Sequence, residues 1–81
     1  MKLNTKLIQS IARAYGIEVD TKRQRIQGAN LYKYCIWETN GTYIGGWYPS
    51  CKMARVDCKP CFTFEDFTNA LEEHIYGEAN V

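Results

Sequence analysis

LYKYCIWETNGTYIGGWY, residues 31–48, is the densest run of aromatic and β-branched residues in the chain, and Asn40-Gly41 splits it in the middle. Such residues suit a pleated strand surface. An Asn-Gly pair between two of these runs signals a hairpin, because both residues tolerate the positive φ that a two-residue type I′ turn demands. The stretch therefore predicts two antiparallel strands, 31–38 and 43–48. Such a turn sets Glu38 opposite Tyr43, Trp37 opposite Ile44, Ile36 opposite Gly45, Cys35 opposite Gly46 and Tyr34 opposite Trp47. Side chains alternate across a strand. Leu31, Cys35, Trp37, Ile44 and Tyr48 then share one face, and Tyr32, Tyr34, Ile36, Tyr43 and Trp47 share the other. Neither face is polar. A half-exposed antiparallel sheet normally alternates apolar with polar residues, so part of both faces has to be covered by helices or by a partner. Gly45 and Gly46 leave a mid-strand gap that signals a bulge or the close approach of a helix or partner.

Before the hairpin, residues 4–15 place Leu7, Ile8, Ile11, Ala14 and Tyr15 at three- and four-residue steps, with Lys6, Gln9, Ser10 and Arg13 on the remaining arc. That is an amphipathic helix, with Asn4 suited to cap its start and Gly16 to end it in a left-handed conformation. Residues 17–19 and 23–27 have weak strand character on either side of Asp20-Thr21-Lys22, which reads as a turn. After the hairpin, Pro49-Ser50 stops the strand, and residues 51–57 form either a third strand through Met53 and Val56 or an irregular crossing.

The last element carries the clearest start signal. Thr63 with Asp66 makes a capping-box variant, and Phe62 with Phe67 makes a hydrophobic staple, so a helix is expected from Phe64. Phe64, Phe67, Ala70, Leu71 and Ile75 form its apolar stripe, and Glu65, Asn69, Glu72 and Glu73 its wet side. Gly77 is its stop, with a flexible tail from residue 77 to residue 81. The expected fold is α+β: one domain over residues 1–81, an antiparallel sheet of three or four strands, and an N-terminal and a C-terminal helix packed on one face.

A chain of 81 residues has room for one core, and 46% hydrophobic against 23% charged residues argues for a folded domain over disorder. Residues 1–6 lack the apolar run of a signal peptide and nowhere do about 18 apolar residues occur together, so a cytoplasmic protein with no membrane partner is expected. Charge is uneven. Residues 1–33 carry seven Lys and Arg against two acids, and residues 34–81 three against seven. Such a gradient can steer a charged partner, although solvated helix faces also produce it.

Four cysteines are the main chemical question. Cys58 and Cys61 have the two-residue gap that lets two thiolates reach one zinc ion, and Cys35 with Cys51 could complete a tetrahedral set. No second knuckle accompanies them, so no cofactor is expected and this zinc site is the alternative. Cys58-Lys59-Pro60-Cys61 resembles the thioredoxin-like Cys-x-Pro-Cys element over four residues, but the parallel βαβ pattern of that family is missing. His74 is the one histidine, placed near a helix C-terminus where a cation is favoured. With no nucleophile motif or phosphate-cradling glycine loop, the chain is not expected to be an enzyme.

Binding is the remaining class. Lys22, Arg23, Arg25 and Lys33 beside Tyr32, Tyr34, Tyr43 and Trp47 would suit a single-stranded nucleic acid, yet the net charge of +1 is far below that usual for such modules. Tyrosine and tryptophan equally serve protein interfaces. Tyr32, Tyr34, Tyr43 and Trp47 are the expected partner-binding face, because phenol hydroxyls tolerate water better than the Leu31, Cys35, Trp37, Ile44 side does. The acidic surface of Glu65, Glu72 and Glu73 is the competing site, acting by imitation of phosphate charge.

In size and layout, with a basic amphipathic helix, the 31–48 hairpin and a capped acidic helix, the chain resembles the small proteins of bacteriophages and mobile elements that block host defence, anti-CRISPR proteins among them. The resemblance spans the whole chain and rests on no motif. It implies a non-enzymatic inhibitor that binds and obstructs a host protein, such as a CRISPR effector, in the bacterial cytoplasm. The alternative is a zinc-supported nucleic-acid-binding module.

Overall fold

The computed structural model describes residues 3–26, 28 and 31–77. Helix α1 (Thr5–Ala14) is followed by β1 (Ile17–Arg25), β2 (Tyr32–Glu38) and β3 (Tyr43–Tyr48). A 3-10 turn (Pro49–Cys51) leads to β4 (Met53–Val56), β5 (Lys59–Cys61) and α2 (Phe64–Gly77). The strands form one antiparallel sheet in the order β1-β2-β3-β4-β5. Both helices lie on one of its faces. Among the described residues, no helix is long and apolar enough to cross a membrane.

The helix ends follow their local chemistry. Asn4 Oδ1 accepts from the Leu7 N–H at 2.9 Å, and Gly16 takes φ +75° just beyond α1. Thr63 Oγ1 accepts from the Asp66 N–H at 3.1 Å, and the Asp66 carboxylate reaches back to the Phe62 N–H at 3.4 Å. Phe67 is wholly buried, whereas Phe62 is 59% exposed, so the expected staple does not close. Gly77 is the last helical residue rather than the start of the tail, and the tail expected at 78–81 lies outside the described residues.

Five strands stand where three or four were expected, because residues 17–25 and residues 59–61 both pair into the sheet. The expected segments 17–19 and 23–27 join in one strand that ends at Arg25, Gln27 lying outside the described residues, because the turn tendency of Asp20 is absorbed inside it: its Oδ1 accepts from the Lys22 N–H at 2.8 Å. Val19 faces Ile36 and Arg23 faces Tyr34, so three residues of β1 between these pairs run against one of β2 and the strand bulges. The fifth strand comes from residues 59–61. Asp57 and Cys58 take φ +51° and +68° and connect Val56 to its cross-strand partner Lys59. This is the two-residue turn with both residues at positive φ, built from residues that do not advertise it.

At Asn40-Gly41 the chain chooses another solution. The Gly41 N–H donates to Glu38 O at 2.9 Å and the Glu38 N–H to Thr42 O at 2.8 Å, with only Gly41 at positive φ, +95°. The loop is Thr39-Asn40-Gly41, and Asn40 Oδ1 accepts from the Thr42 N–H at 2.9 Å. Trp37 therefore faces Tyr43 instead of Ile44, while the Ile36–Gly45, Cys35–Gly46 and Tyr34–Trp47 pairs stand as expected. Ile44 is the surplus residue and forms a bulge. It turns inward to 3% exposure, and Tyr43 moves to the side of Trp37.

One cluster forms the core. Ile17, Ile36, Ile44, Trp47, Ala54, Val56 and Cys61 rise from the sheet to meet Leu3, Ile8, Ile11 and Ala12 on one flank and Phe67, Ala70 and Leu71 on the other. The helices therefore consume the face that carries Ile36 and Trp47. The face that carries Cys35 and Trp37 has no helix over it.

Candidate functional site

Strand parity builds the uncovered face. On β2 it takes Lys33, Cys35 and Trp37, on β3 Tyr43, Gly46 and Tyr48, on β4 Met53 and Arg55, and Pro60 follows opposite Arg55. Trp37 and Tyr43 meet edge to face with ring centroids 5.1 Å apart. Lys33 leans along the strand, its Nζ 3.4 Å from the Tyr43 hydroxyl and 5.4 Å from that ring's centroid. Burial works against the Lys33 charge, but the hydrogen bond to Tyr43 prevails and its pKa is raised. Trp37, Tyr48 and Met53 are half-buried and Tyr43 is 43% exposed. Beside this face, a groove of about 690 Å³ along the β1 edge is lined by Gln9, Arg13, Glu18, Asp20, Trp37 and Gly41, among others.

The expected partner surface is thus redistributed. Trp47 is 3% exposed and Tyr34 packs half-buried against the core, so the face chosen for them is the covered one. Tyr43 is on the open face because of the bulge at Ile44. Tyr32 is 37% exposed near the end of the sheet, with the Arg23 guanidinium 4.4 Å over its ring. Trp37, Tyr48 and Met53 were not expected there. The hairpin signal places the strands correctly but does not distinguish a two-residue from a three-residue loop, and one residue of slip moves Tyr43 to the other face.

The acidic surface on α2 is partly engaged inside the molecule. Glu72 Oε1 accepts from the Tyr15 hydroxyl at 2.8 Å, and Glu73 pairs with Lys59 at 2.6 Å. Glu65 remains exposed in the first turn of α2. These pairs join residues far apart in the chain, which local spacing does not reveal.

The four cysteines do not converge. Cys35 is buried on the open face, its thiol donating to Gln24 Oε1 at 3.2 Å, and burial pushes its pKa up. Cys61 is buried on the helix side, where its thiol contacts Lys59 O at 3.6 Å and burial again raises its pKa. Cys51 and Cys58 are exposed. The alternative set of Cys35, Cys51, Cys58 and Cys61 therefore straddles the sheet, and residues 59–61 are extended, which carries Cys58 and Cys61 apart by about 10 Å of strand. Among the described residues no group of three or more His, Cys, Asp or Glu could hold a metal ion.

His74 is the one buried polar residue of the described chain. Its Nδ1 lies 2.7 Å from Asp57 Oδ2 and its Nε2 2.7 Å from Glu38 Oε1. Only the imidazolium can donate to both carboxylates. Burial opposes that charge, but the hydrogen bonds to Asp57 and Glu38 outweigh it and raise the pKa of His74. The same bond to His74 lowers the pKa of Glu38. The cluster ties α2 to the end of β2 and to the β4–β5 turn, and both ring nitrogens are committed to it.

A pH dependence follows from the two directions. Stability from His74 is fully present below the ordinary imidazole value of about 6.5 and is lost as pH rises through its raised folded value. Stability from Glu38 is present above the ordinary carboxylate value of about 4.3 and is lost as pH falls through its lowered folded value. Urea midpoints are expected to be highest between these values, to decline above about pH 6.5, and to lose that decline below pH ~8 in His74→Gln. A parent midpoint that is flat from pH 6 to 8 would show that the cluster is not charged as described.

Compared with family profiles, with curated proteins and with solved structures, the chain finds no match.

Proposed function

We propose that the protein acts by binding a larger protein through the open face of its sheet, with no chemistry of its own. The observation that carries this is the grouping of Trp37, Tyr43, Tyr48 and Met53 on a face that neither helix covers. Aromatic residues, methionine and arginine are the types enriched at the centres of protein interfaces, and Arg55 stands among them. Lys33 and Arg55 give the face a positive rim, so the surface it fits is apolar at its centre with acidic groups beside it. Stoichiometric obstruction of a host protein, as the resemblance to phage and mobile-element inhibitors implies, is the finer form of the same reading.

The test ranks variants against a partner isolated from a nuclease-treated bacterial lysate. Tyr43→Ala and Trp37→Ala are each expected to weaken calorimetric binding by about 2 kcal/mol or more while leaving the urea midpoint close to that of the parent. Charge reversal at Glu65, exposed on α2, should alter it by less than about 0.5 kcal/mol. The reverse order would move the interface to the helix.

A further inference from the structure

The far end of the β1–β2 pair is chemically unlike the rest of the sheet. Residues 21–25 of β1 are exposed throughout and bring Lys22, Arg23 and Arg25 together, with Arg23 facing Tyr34, Gln24 facing Lys33 and Arg25 facing Tyr32. Lys52 follows the 3-10 turn that packs against β2. Among the described residues, Lys22, Arg23, Lys33 and Lys52 have no carboxylate within ion-pair distance. Five acids are occupied elsewhere: Glu38 and Asp57 at His74, Glu72 at Tyr15, Glu73 at Lys59, and Asp66 at the start of α2, whereas Asp20 borders this end with its Oδ1 on the Lys22 N–H. The net charge of +1 is therefore an average over a basic end and a more acidic remainder, and it understates the local field.

Arg23 gives that end its shape. Its guanidinium lies 4.4 Å over the Tyr32 ring, and Tyr32 is 37% exposed. A guanidinium held over a ring keeps its N–H groups for a phosphate, and the guanidinium–ring pair offers a surface on which a base can stack. We propose that this end of the sheet binds single-stranded nucleic acid, with Lys22, Arg23, Arg25 and Lys52 facing the phosphates and the Arg23–Tyr32 stack serving as a base platform. Cations alternating with an aromatic platform match a chain in which phosphates alternate with bases, and an acidic polypeptide offers no base for the stack. The site is separate from the Trp37–Tyr43 face and does not depend on it.

The experiment is fluorescence anisotropy of a short fluorescein-labelled oligothymidylate with the full chain. Neutralising three or four phosphates gives a logarithmic salt slope of about −2 to −3, so affinity should fall roughly 15- to 60-fold between about 50 and 200 mM salt. Tyr32→Ala and Arg23→Ala should each weaken binding about tenfold, with Tyr32→Phe restoring parent affinity. Tyr76→Ser, exposed on α2, should change nothing, and circular dichroism should show every variant folded. Absence of binding at about 50 mM salt would overturn the proposal, as would a Tyr32→Ala variant that binds like the parent. Displacement of the oligonucleotide by polyglutamate as readily as by unlabelled oligonucleotide would overturn it in favour of an acidic protein segment.

Discussion

Gly45→Ala is expected to destabilise the protein by about 4 kcal/mol or more, enough to unfold a domain of this size under ordinary conditions. A Cβ at Gly45 would sit 1.7 Å from the backbone oxygen of Arg55, and 2.7 Å from its carbonyl carbon. The obstacle is the neighbouring strand itself, which cannot move aside without opening the pairing of Gly45 with Val56 and of Gly46 with Arg55. Gly46 is the internal control. A Cβ there would meet Tyr34 O at 3.4 Å and the Tyr48 ring at 3.5 Å, ordinary contact on the open face, so Gly46→Ala should cost less than about 1 kcal/mol. Circular dichroism and urea melts of the two variants decide it; equal midpoints would mean that β3 and β4 are not as close as described.

Phe67→Ala should cost about 3 to 5 kcal/mol. Phe67 is wholly buried, and it belongs to the cluster that joins α2 to Ala54, Val56 and Cys61 on the sheet. Removing the ring leaves a cavity lined by backbone-anchored groups, which have little freedom to collapse into it. Two-state urea melts measure the loss, and the rest of the chain gives a second readout: α2 should lose amide-exchange protection before β2 and β3 do. A parent-like midpoint would place the burial energy of the C-terminal helix elsewhere.

Both positions are legible in the amino-acid sequence, for different reasons. Phe67 lies in an apolar stripe with helical period behind a capping residue, and local patterns of that kind carry their own geometry. The glycine pair signals a bulge or a close approach; the bulge falls at the neighbouring Ile44 and the close approach at Gly45, although the approaching group is the next strand and not a helix or a partner. Less legible is whatever depends on one residue of loop length or on contacts across elements. Asn40-Gly41 allows two hairpin loops, and the choice between them decides that Tyr43 faces away from the core. The turn at Asp57-Cys58 gives no signal, because aspartate only tolerates positive φ and cysteine is seldom found there. Local spacing places His74 near a helix end, whereas two carboxylates 17 and 36 residues away in the chain account for its burial.

The sequential strand order also bears on how the chain reaches this structure. Each strand pairs only with the strands before and after it, so the sheet can grow one hairpin at a time and no step has to close a long loop. Topologies of this kind fold faster than β-structures that pair distant strands. The far-reaching links are made by α2, through His74 to Glu38 over 36 residues and Glu72 to Tyr15 over 57. A chain emerging from synthesis could assemble its hairpins first and be locked only when its last helix arrives, with the open face and the basic end already formed before the final turn is made.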